Sequence, residues 1–240
     1  MTEKFKRSDG RELDETRKIE AKINIIKRAD GSAYFAFGNS KAIAAVYGPR
    51  QLYPQHLQDP EKGTLRCHYD MLSFSVNERK KPGPNRRSQE ISHEITQAIE
   101  PAVLIDQFPN TVVDVYIQIL EADASTRCAA INAASMAMAA AGIPMKELVA
   151  SVSVGKLDKT IVIDLTQEEE NYKIKQGKEE VKVATDIATA FLARSGKLSL
   201  LHMDGDINAE ELKEALEMAK EACKKMIDIQ KETLKGVKEE

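Results

Sequence analysis

The sequence predicts an α+β protein, because segments with strand-like alternation precede a segment with helical periodicity and this order occurs twice. Tight polar turns between the first strand-like segments also favour antiparallel pairing. The chain has 240 residues, enough to bury its own core, and its 42% hydrophobic and 30% charged residues are typical of a globular protein. Aromatic residues make up only 5% and Trp is absent, so we expect an aliphatic core.

The first half of the chain combines short strands with two helices. A polar segment at 1–15 is expected to form an N-terminal arm ahead of one domain at 16–240. Ser88 is predicted to cap a helix that Pro101 ends or kinks, and the nearly all-apolar run 127–141 predicts a helix buried on almost every side. The predicted strands are 19–26, 33–38, 42–47, 66–76 and 112–120.

The second half repeats the order of strands followed by a helix. Residues 166–186 are too charged to assign to an element. Asn208 caps the last helix, with Glu211 three residues later as in a capping box and an apolar stripe behind it. The predicted strands of this half are 149–154, 160–163, 188–193 and 198–202. No sequence repeat proves a duplication.

Composition excludes several classes of protein. No apolar run approaches the roughly 20 residues of a membrane helix, and the charged start is unlike a signal peptide, so we expect a cytoplasmic protein without membrane contact. Cys67, Cys128 and Cys223 are odd in number and far apart, which argues against a zinc site or a disulfide framework. The net charge is −3, so contact with nucleic acid requires a local basic patch.

The first candidate site lies between Glu121 and Arg127, where a strand meets the buried helix. A helix start offers unpaired backbone N–H groups and the positive end of the dipole. With the hydroxyls of Ser125 and Thr126 and the guanidinium of Arg127, this start would form a pocket for a tetrahedral anion. The alternative is that Ser125 only caps the helix and Arg127 pairs with Glu121 or Asp123. Spacing alone leaves both open.

Two further segments carry charge in suggestive places. The loop 77–87 has five basic residues and one acid around a Pro-Gly-Pro core, and its Arg86 and Arg87 suit backbone phosphates. Asp164, with the acids 168–170, could hold Mg²⁺ or protonate a leaving oxygen. Solvated surface charge is the alternative interpretation of each.

Taken together, motifs along nearly the whole chain resemble the RNase PH family, and within it the catalytic subunits of archaeal exosomes. The stretches are Arg28-Ala-Asp-Gly31, Ala44-Ala-Val-Tyr-Gly-Pro-Arg50, His56-Leu-Gln-Asp-Pro60, Phe74-Ser-Val76, Glu78-Arg-Lys-Lys-Pro-Gly-Pro-Asn-Arg-Arg-Ser88, Glu90-Ile-Ser92, Ala122-Asp123, Asn132-Ala-Ala-Ser135, Gly142-Ile-Pro-Met145, Ser153-Val-Gly-Lys156 and Met203-Asp-Gly205. The resemblance implies an RNase PH-like fold, in which two β-α units of a type also seen in a ribosomal protein domain pack in one catalytic domain with a long C-terminal helix.

The resemblance also implies an activity and partners. Inorganic phosphate, as co-substrate, would attack the 3′-terminal phosphodiester of RNA and release nucleoside diphosphates, and the reverse reaction would add tails. The chain would alternate with a related non-catalytic subunit in a hexameric ring, a trimer of heterodimers, under a cap of RNA-binding subunits. The alternatives are a homohexameric enzyme that trims transfer RNA 3′ ends, and a non-catalytic RNA-binding ring subunit, which would lack the catalytic acid.

Site residues follow from the same resemblance. The implied residues are Ser125, Thr126 and Arg127 for phosphate, Arg86 and Arg87 for the RNA backbone, Arg66 and Lys62, more loosely, for RNA in the channel, and Asp164 with Glu170 as the catalytic acids. The acidic pair would act as general acid or as ligands of a divalent metal, Mg²⁺. Two positions depart from the family pattern, because the family has Gly-Ser where this chain has Ser125-Thr126, and Asp where it has Glu170.

Overall fold

The computed structural model describes residues 7–157, 160–176, 179–182 and 184–236, of which 173–176 and 179–182 by their backbone alone. Two sheets pack on either side of one central helix, and helices cover their outer ends. The predicted α+β class, with two β-α units packed together, is confirmed. One continuous hydrophobic core contains residues of both sheets. The division of the chain at residue 15 stays a prediction.

The first sheet has five strands in the order β1-β2-β3-β5-β4, antiparallel except for the pair β4 and β5. Its strands are β1 (Ile19–Ile23), β2 (Gly31–Phe37), β3 (Ser40–Gln51), β4 (Thr64–Met71) and β5 (Thr111–Glu121). The predicted antiparallel meander of the first three strands is confirmed. The strand predicted at 66–76 ends at Met71, because the N–H of Ser75 donates to the carbonyl of Leu72 and closes a turn there.

The helix α1 (Arg86–Ile99) begins earlier than predicted. Its N-cap is Asn85, not Ser88, so that prediction is wrong by three residues. Ser88 instead occupies the third helical position, where its hydroxyl accepts from the N–H of Asn85 at 2.9 Å and the Asn85 side chain accepts from its N–H at 2.8 Å. This reciprocal capping box fixes the end of the basic loop next to the helix start.

The helix α2 (Thr126–Ala140) lies between the two sheets, and eleven of its residues are buried. This confirms the prediction of a helix buried on nearly all sides. Its small side chains let both sheets approach closely. At Gly31 of β2, for example, an added Cβ would lie 2.3 Å from the backbone nitrogen of Ala141. The buried amide of Asn132 reaches the second sheet by donating to the carbonyl of Ser151 at 2.7 Å.

The second sheet has four antiparallel strands in the order β11-β10-β6-β7. The segment that the sequence left unassigned contains a short helix and a two-stranded hairpin. The elements are β6 (Val149–Leu157), β7 (Thr160–Ile163), α3 (Gln167–Glu170), β8 (Lys173–Gln176), β9 (Glu179–Lys182), β10 (Ala184–Leu192) and β11 (Leu198–Asp204). The turn predicted between the first two strands includes residues 158–159, which lie outside the described residues.

The last helix, α4 (Ala209–Lys235), begins as predicted, because Asn208 and Glu211 form a complete capping box. None of the helices in the described ranges is long and apolar enough to cross a membrane. At the other end of the chain, Arg7 is buried and its guanidinium contacts Glu169 at 2.8 Å. The described part of the N-terminal segment is thus packed against the second half of the protein.

Candidate active site

The start of α2 opens onto a small cavity of about 50 Å³ between the two halves of the protein. One water needs only about 10–15 Å³ of such space, so the cavity has room for a small anion. Its polar lining residues are Arg87, Ser125, Thr126, Arg127, Ser153, Glu170 and Asp186. A broader hollow of about 860 Å³ beside Phe74 has no arginine or lysine among its described lining residues. The small cavity is therefore the better candidate for an anionic substrate.

Ser125 occupies the N-cap position of α2, but its side chain does not cap the helix. Its hydroxyl lies 2.6 Å from the hydroxyl of Ser153 and donates to Asp164 Oδ1 at 3.1 Å. The first N–H groups of α2 therefore have no side-chain acceptor and remain available to an anion. Ala124 and Ser125 both have a positive φ, 55° and 52°, a conformation that favours glycine. A glycine, which the family resemblance implies at the position of Ser125, would adopt this backbone without strain.

The guanidinium of Arg127 lies beside this helix start. Its Nε is 2.7 Å from Glu94 Oε2, at an angle too sharp for a hydrogen bond, so the contact is an ion pair. Pairing with Glu121 or Asp123, the alternative drawn from the sequence, is not observed, because both carboxylates pair with other side chains. Within the described part of the chain, neither Nη atom of Arg127 has a hydrogen-bond partner. These two nitrogens are free to bind an anion.

Asp164 lies outside the lining of the cavity. This residue is fully buried, and its carboxylate receives the guanidinium of Arg17 at 2.7 Å and 2.9 Å together with the backbone N–H of Arg17 at 2.8 Å. It lies behind Ser125 and does not line the cavity. Both carboxylate oxygens of Asp164 are thus already occupied by donors of the protein. Asp164 thus occupies a structural position, and its role as catalytic acid or metal ligand stays a prediction.

Asp186 lines the cavity together with Glu170, and it is the one of the two acids that the sequence did not predict. It lies on β10, largely buried, and burial, together with the neighbouring charge of Glu170, raises its pKa from 3.8 to about 6. One signal was available, because Asp186 is a lone acid in the strand-like run Ala184–Leu192. A buried acid without a fixed cationic partner is a candidate for function. It was overlooked because it lies at the end of the segment 166–186, which was too charged to assign to an element.

Of the remaining predicted residues, some join the cavity and others do not. The cavity brings together Arg87, Ser125, Thr126, Arg127 and Glu170, whereas Arg86, Arg66, Lys62 and Asp164 do not line it. Arg86 is the first residue of α1 and is exposed. Arg66 pairs with Asp114 at 2.9 Å, and Lys62 lines a separate hollow of about 460 Å³.

The site has limited capacity for a metal. In the described ranges no group of three or more His, Cys, Asp or Glu side chains is arranged to hold an ion. Asp186 and Glu170 nevertheless face each other closely enough for one charge to raise the pKa of the other group. Two carboxylates fit a hard divalent cation whose remaining ligands are water or phosphate oxygens.

Comparison with known proteins agrees with this geometry. Models of the two domains of the 3′ exoribonuclease family match residues 15–144 and 147–222, and the boundary falls between α2 and β6. The chain is 48% identical to the exosome complex component Rrp41 of Thermococcus kodakarensis over 98% of this chain and 90% of that protein. It is 44% identical to Rrp41 of Archaeoglobus fulgidus, over 95% of this chain and 86% of that one.

Solved structures share the fold. Rice Rrp46 superposes with a TM-score of 0.82 at 26% identity, covering 95% of this chain and all of that one. A chain of the Archaeoglobus fulgidus exosome with RNA bound to the active site gives a TM-score of 0.76 at 21% identity, covering 92% and 91%. The family models, the curated relatives and the fold agree over nearly the whole length, and the chain belongs to the 3′ exoribonuclease family, that of RNase PH.

Proposed function

We propose that this chain is the catalytic subunit of an exosome ring and degrades RNA from the 3′ end with inorganic phosphate. Family membership and the exosome relatives support the activity, a phosphate-dependent 3′-to-5′ exoribonuclease. The observation that supports the site assignment is a single cavity that is lined by positively charged groups and by an acid. An uncapped helix start with Arg127 and Arg87 forms one wall, and the acid Asp186 forms the other.

Phosphate binds at the start of α2 in this proposal. The backbone N–H groups of Thr126 and Arg127 and the two free Nη atoms of Arg127 provide the donors, and the helix dipole adds to the attraction. Ser125 contributes its backbone conformation, because its hydroxyl is engaged with Ser153 and Asp164. The hydroxyl of Thr126 accepts from Tyr69 at 3.1 Å, which fixes this side chain at the rim of the site.

The reaction is a displacement at phosphorus. A phosphate oxygen forms a bond to the terminal phosphorus, the bond to the 3′ oxygen of the preceding nucleotide breaks, and a nucleoside diphosphate leaves. Water is not the nucleophile, so the reaction is a phosphorolysis and not a hydrolysis. Positioning of the two anions and neutralisation of their charge account for most of the catalysis. Arg87 and Arg127 provide that neutralisation.

The departing 3′ oxygen requires a proton or a cation. Asp186, with a pKa of about 6, keeps a protonated fraction near neutral pH and can donate to this oxygen. We propose Asp186 and Glu170 as the acidic pair of the site, in place of Asp164 and Glu170. If Mg²⁺ is bound, these two carboxylates hold it, and the ion supplies charge stabilisation at the phosphate oxygens.

RNA and the other subunits are partners in this proposal. Arg86 and Arg87 flank the cavity at the end of the basic loop and are assigned to the RNA backbone near the scissile bond. Arg66 and Lys62 lie outside the cavity, and their contact with RNA in the ring channel stays a prediction, as do the cap subunits and the cytoplasmic location. A related RNase PH-like subunit completes the ring, for which the edge strand β11 offers the exposed apolar side chains Leu201 and Met203.

The test is phosphorolysis of a 5′-labelled oligoadenylate, with the related ring subunit present and absent. We expect shortening that requires phosphate, releases ADP and is lost in Asp186→Ala and in Arg127→Glu. Glu90→Ala, which removes an exposed charge from the same helix as Arg87, is the matched control and retains activity. Absence of shortening in the assembled ring would identify the chain as a non-catalytic ring subunit, and full activity of Asp186→Ala would refute the assignment of the acid.

A further inference from the structure

One carboxylate outside the proposed reaction links three elements around the cavity. Glu94 on α1 lies with Oε2 at 2.7 Å from Arg127 Nε and with Oε1 at 2.8 Å from His202 Nδ1. The side chains of Glu94 and Arg127 are only 15% and 14% exposed, and that of His202 is 31% exposed. Glu94 belongs to the first half of the protein and His202 to β11 of the second. Arg127 at the cavity is thus contacted by Glu94, and Glu94 in turn is contacted by His202.

We propose that Glu94 is a positioning residue for Arg127 and that His202 holds Glu94 in place. This inference rests on the proposed function, because it assumes that Arg127 binds phosphate. The contact with Glu94 engages the Nε of Arg127, which lines the cavity, and leaves its two Nη atoms without a partner among the described residues. A guanidinium binds a tetrahedral anion through such a pair of nitrogens, and an arginine side chain needs a fixed partner to keep that orientation.

Electrostatics alone would predict the opposite role. A carboxylate beside an anion site repels the anion, so removal of Glu94 would strengthen phosphate binding if charge were the only effect. Orientation acts in the other direction, because Arg127 without Glu94 can rotate among several rotamers. The two effects change the KM for phosphate with opposite signs. The sign of the change therefore decides between them.

His202 provides the second contact of Glu94. Nδ1 of the ring lies 2.8 Å from Oε1, and this contact restrains the carboxylate in the orientation in which Oε2 faces Arg127. Because β11 is an edge strand, the contact also connects that strand to α1. Loss of the imidazole should weaken the restraint without removing the ion pair itself.

The experiment measures kcat, the KM for phosphate and the KM for RNA in the assembled ring. For Glu94→Ala we expect the KM for phosphate to rise about tenfold or more, while kcat at saturating phosphate and the KM for RNA change less than about threefold. Glu94→Gln keeps an oxygen that Arg127 Nε can face, and its KM should stay within about threefold of the wild type. In the reverse reaction the KM for ADP should rise in parallel, because the β-phosphate of ADP occupies the same site. The control is Glu90→Ala, with all three constants unchanged.

A fall in the KM for phosphate in Glu94→Ala would overturn the inference, as would a loss of kcat alone. If Glu94→Ala does not assemble, the His202 variants test the inference instead. His202→Ala should raise the KM for phosphate about threefold, whereas His202→Asn, which retains a donor near the position of Nδ1, should keep the wild-type value. Equal values for both histidine variants would refute the restraint. Arg127→Ala distinguishes a failure of the proposed phosphate site from a failure of the role of Glu94. If it leaves the KM for phosphate unchanged, the proposed phosphate site fails, whereas a rise there without one in Glu94→Ala refutes only the role of Glu94.

Discussion

The protein should become more stable when its proposed catalytic acid is neutralised. Burial and the charge of Glu170 raise the pKa of Asp186 from 3.8 to about 6, so the folded state binds a proton that the unfolded state has already lost. At about 1.4 kcal/mol for each pKa unit, ionised Asp186 costs about 3 kcal/mol of folding free energy above pH 6. Asp186→Asn removes this cost. In a chain of this size the gain corresponds to a rise in Tm of about 6–12 °C.

The direction of the pH dependence tests the role of Asp186 more specifically than the size of the stability change does. Because the folded pKa is raised, the favourable contribution of Asp186 is complete below about pH 4 and is lost as the pH rises through 6. The difference in unfolding free energy between D186N and wild type should therefore be small near pH 4 and reach about 3 kcal/mol at pH 8. Urea unfolding of the purified chain between these limits, without divalent cations or phosphate, measures it.

Two comparisons make the result interpretable. Asp204 lies directly opposite Asp186 in the strand pair and is exposed, and its charge contributes least among the causes that raise the pKa of Asp186. Asp204→Asn should therefore change stability by less than about 0.5 kcal/mol. Added Mg²⁺ should stabilise wild type more than D186N if Asp186 holds the ion, because a ligand that binds only the folded protein stabilises it. A stability difference that does not change with pH, or a loss of stability in D186N, would show that ionised Asp186 does not destabilise the folded protein.

Three further substitutions test other parts of the structure. Ser125→Gly should keep activity and alter stability by less than about 1 kcal/mol, whereas Ser125→Val, a branched residue at positive φ, should cost about 2 kcal/mol or more in urea unfolding and raise the KM for phosphate. Asp164→Ala should cost about 3–5 kcal/mol because it removes the buried partner of Arg17, which keeps only its contact with Asp123 at 3.3 Å. The ring that does assemble should still shorten RNA, and complete inactivity of the folded ring would contradict a structural role of Asp164. Gly31→Ala should cost about 2 kcal/mol or more, since its Cβ would meet the backbone of Ala141, and an unchanged Tm would show that β2 and α2 can separate.

The sequence predicted the elements whose local signals agree with their surroundings. The final helix began where its capping box placed it, at Asn208 and Glu211, because both signals lie within four residues of each other. The central helix was recognised from its small apolar residues. The start of α1 was placed at Ser88 instead of Asn85, because both side chains are good caps and only the fold shows which of them lies outside the helix.

The site was predicted less completely, for a different reason. Ser125, Thr126 and Arg127 could be found because they are neighbours in the sequence at a recognisable boundary between strand and helix. Glu94 left no local signal, and Asp186 left only that of a lone acid in a strand, because the proximity of both residues to Arg127 depends on the packing of the two halves of the protein. A contact between residues separated by more than thirty positions leaves no periodic signal in a single sequence.

Asp164 and Asp186 show what distinguishes a structural acid from a candidate catalytic one. Both carboxylates lie near the start of α2, and both were available to a reading of the sequence. The fold gives Asp164 an arginine and a backbone donor, which satisfy its charge and fix it. It gives Asp186 burial and the like charge of Glu170, which raise its pKa and leave it reactive. The burial of Asp186 beside Glu170 destabilises the folded protein, and so does the positive φ of Ala124 and Ser125. Both unfavourable features lie at the cavity in which anions are proposed to bind. A site that binds two phosphates needs polar and charged groups without partners in the protein, because groups that already have such partners cannot also bind the substrate.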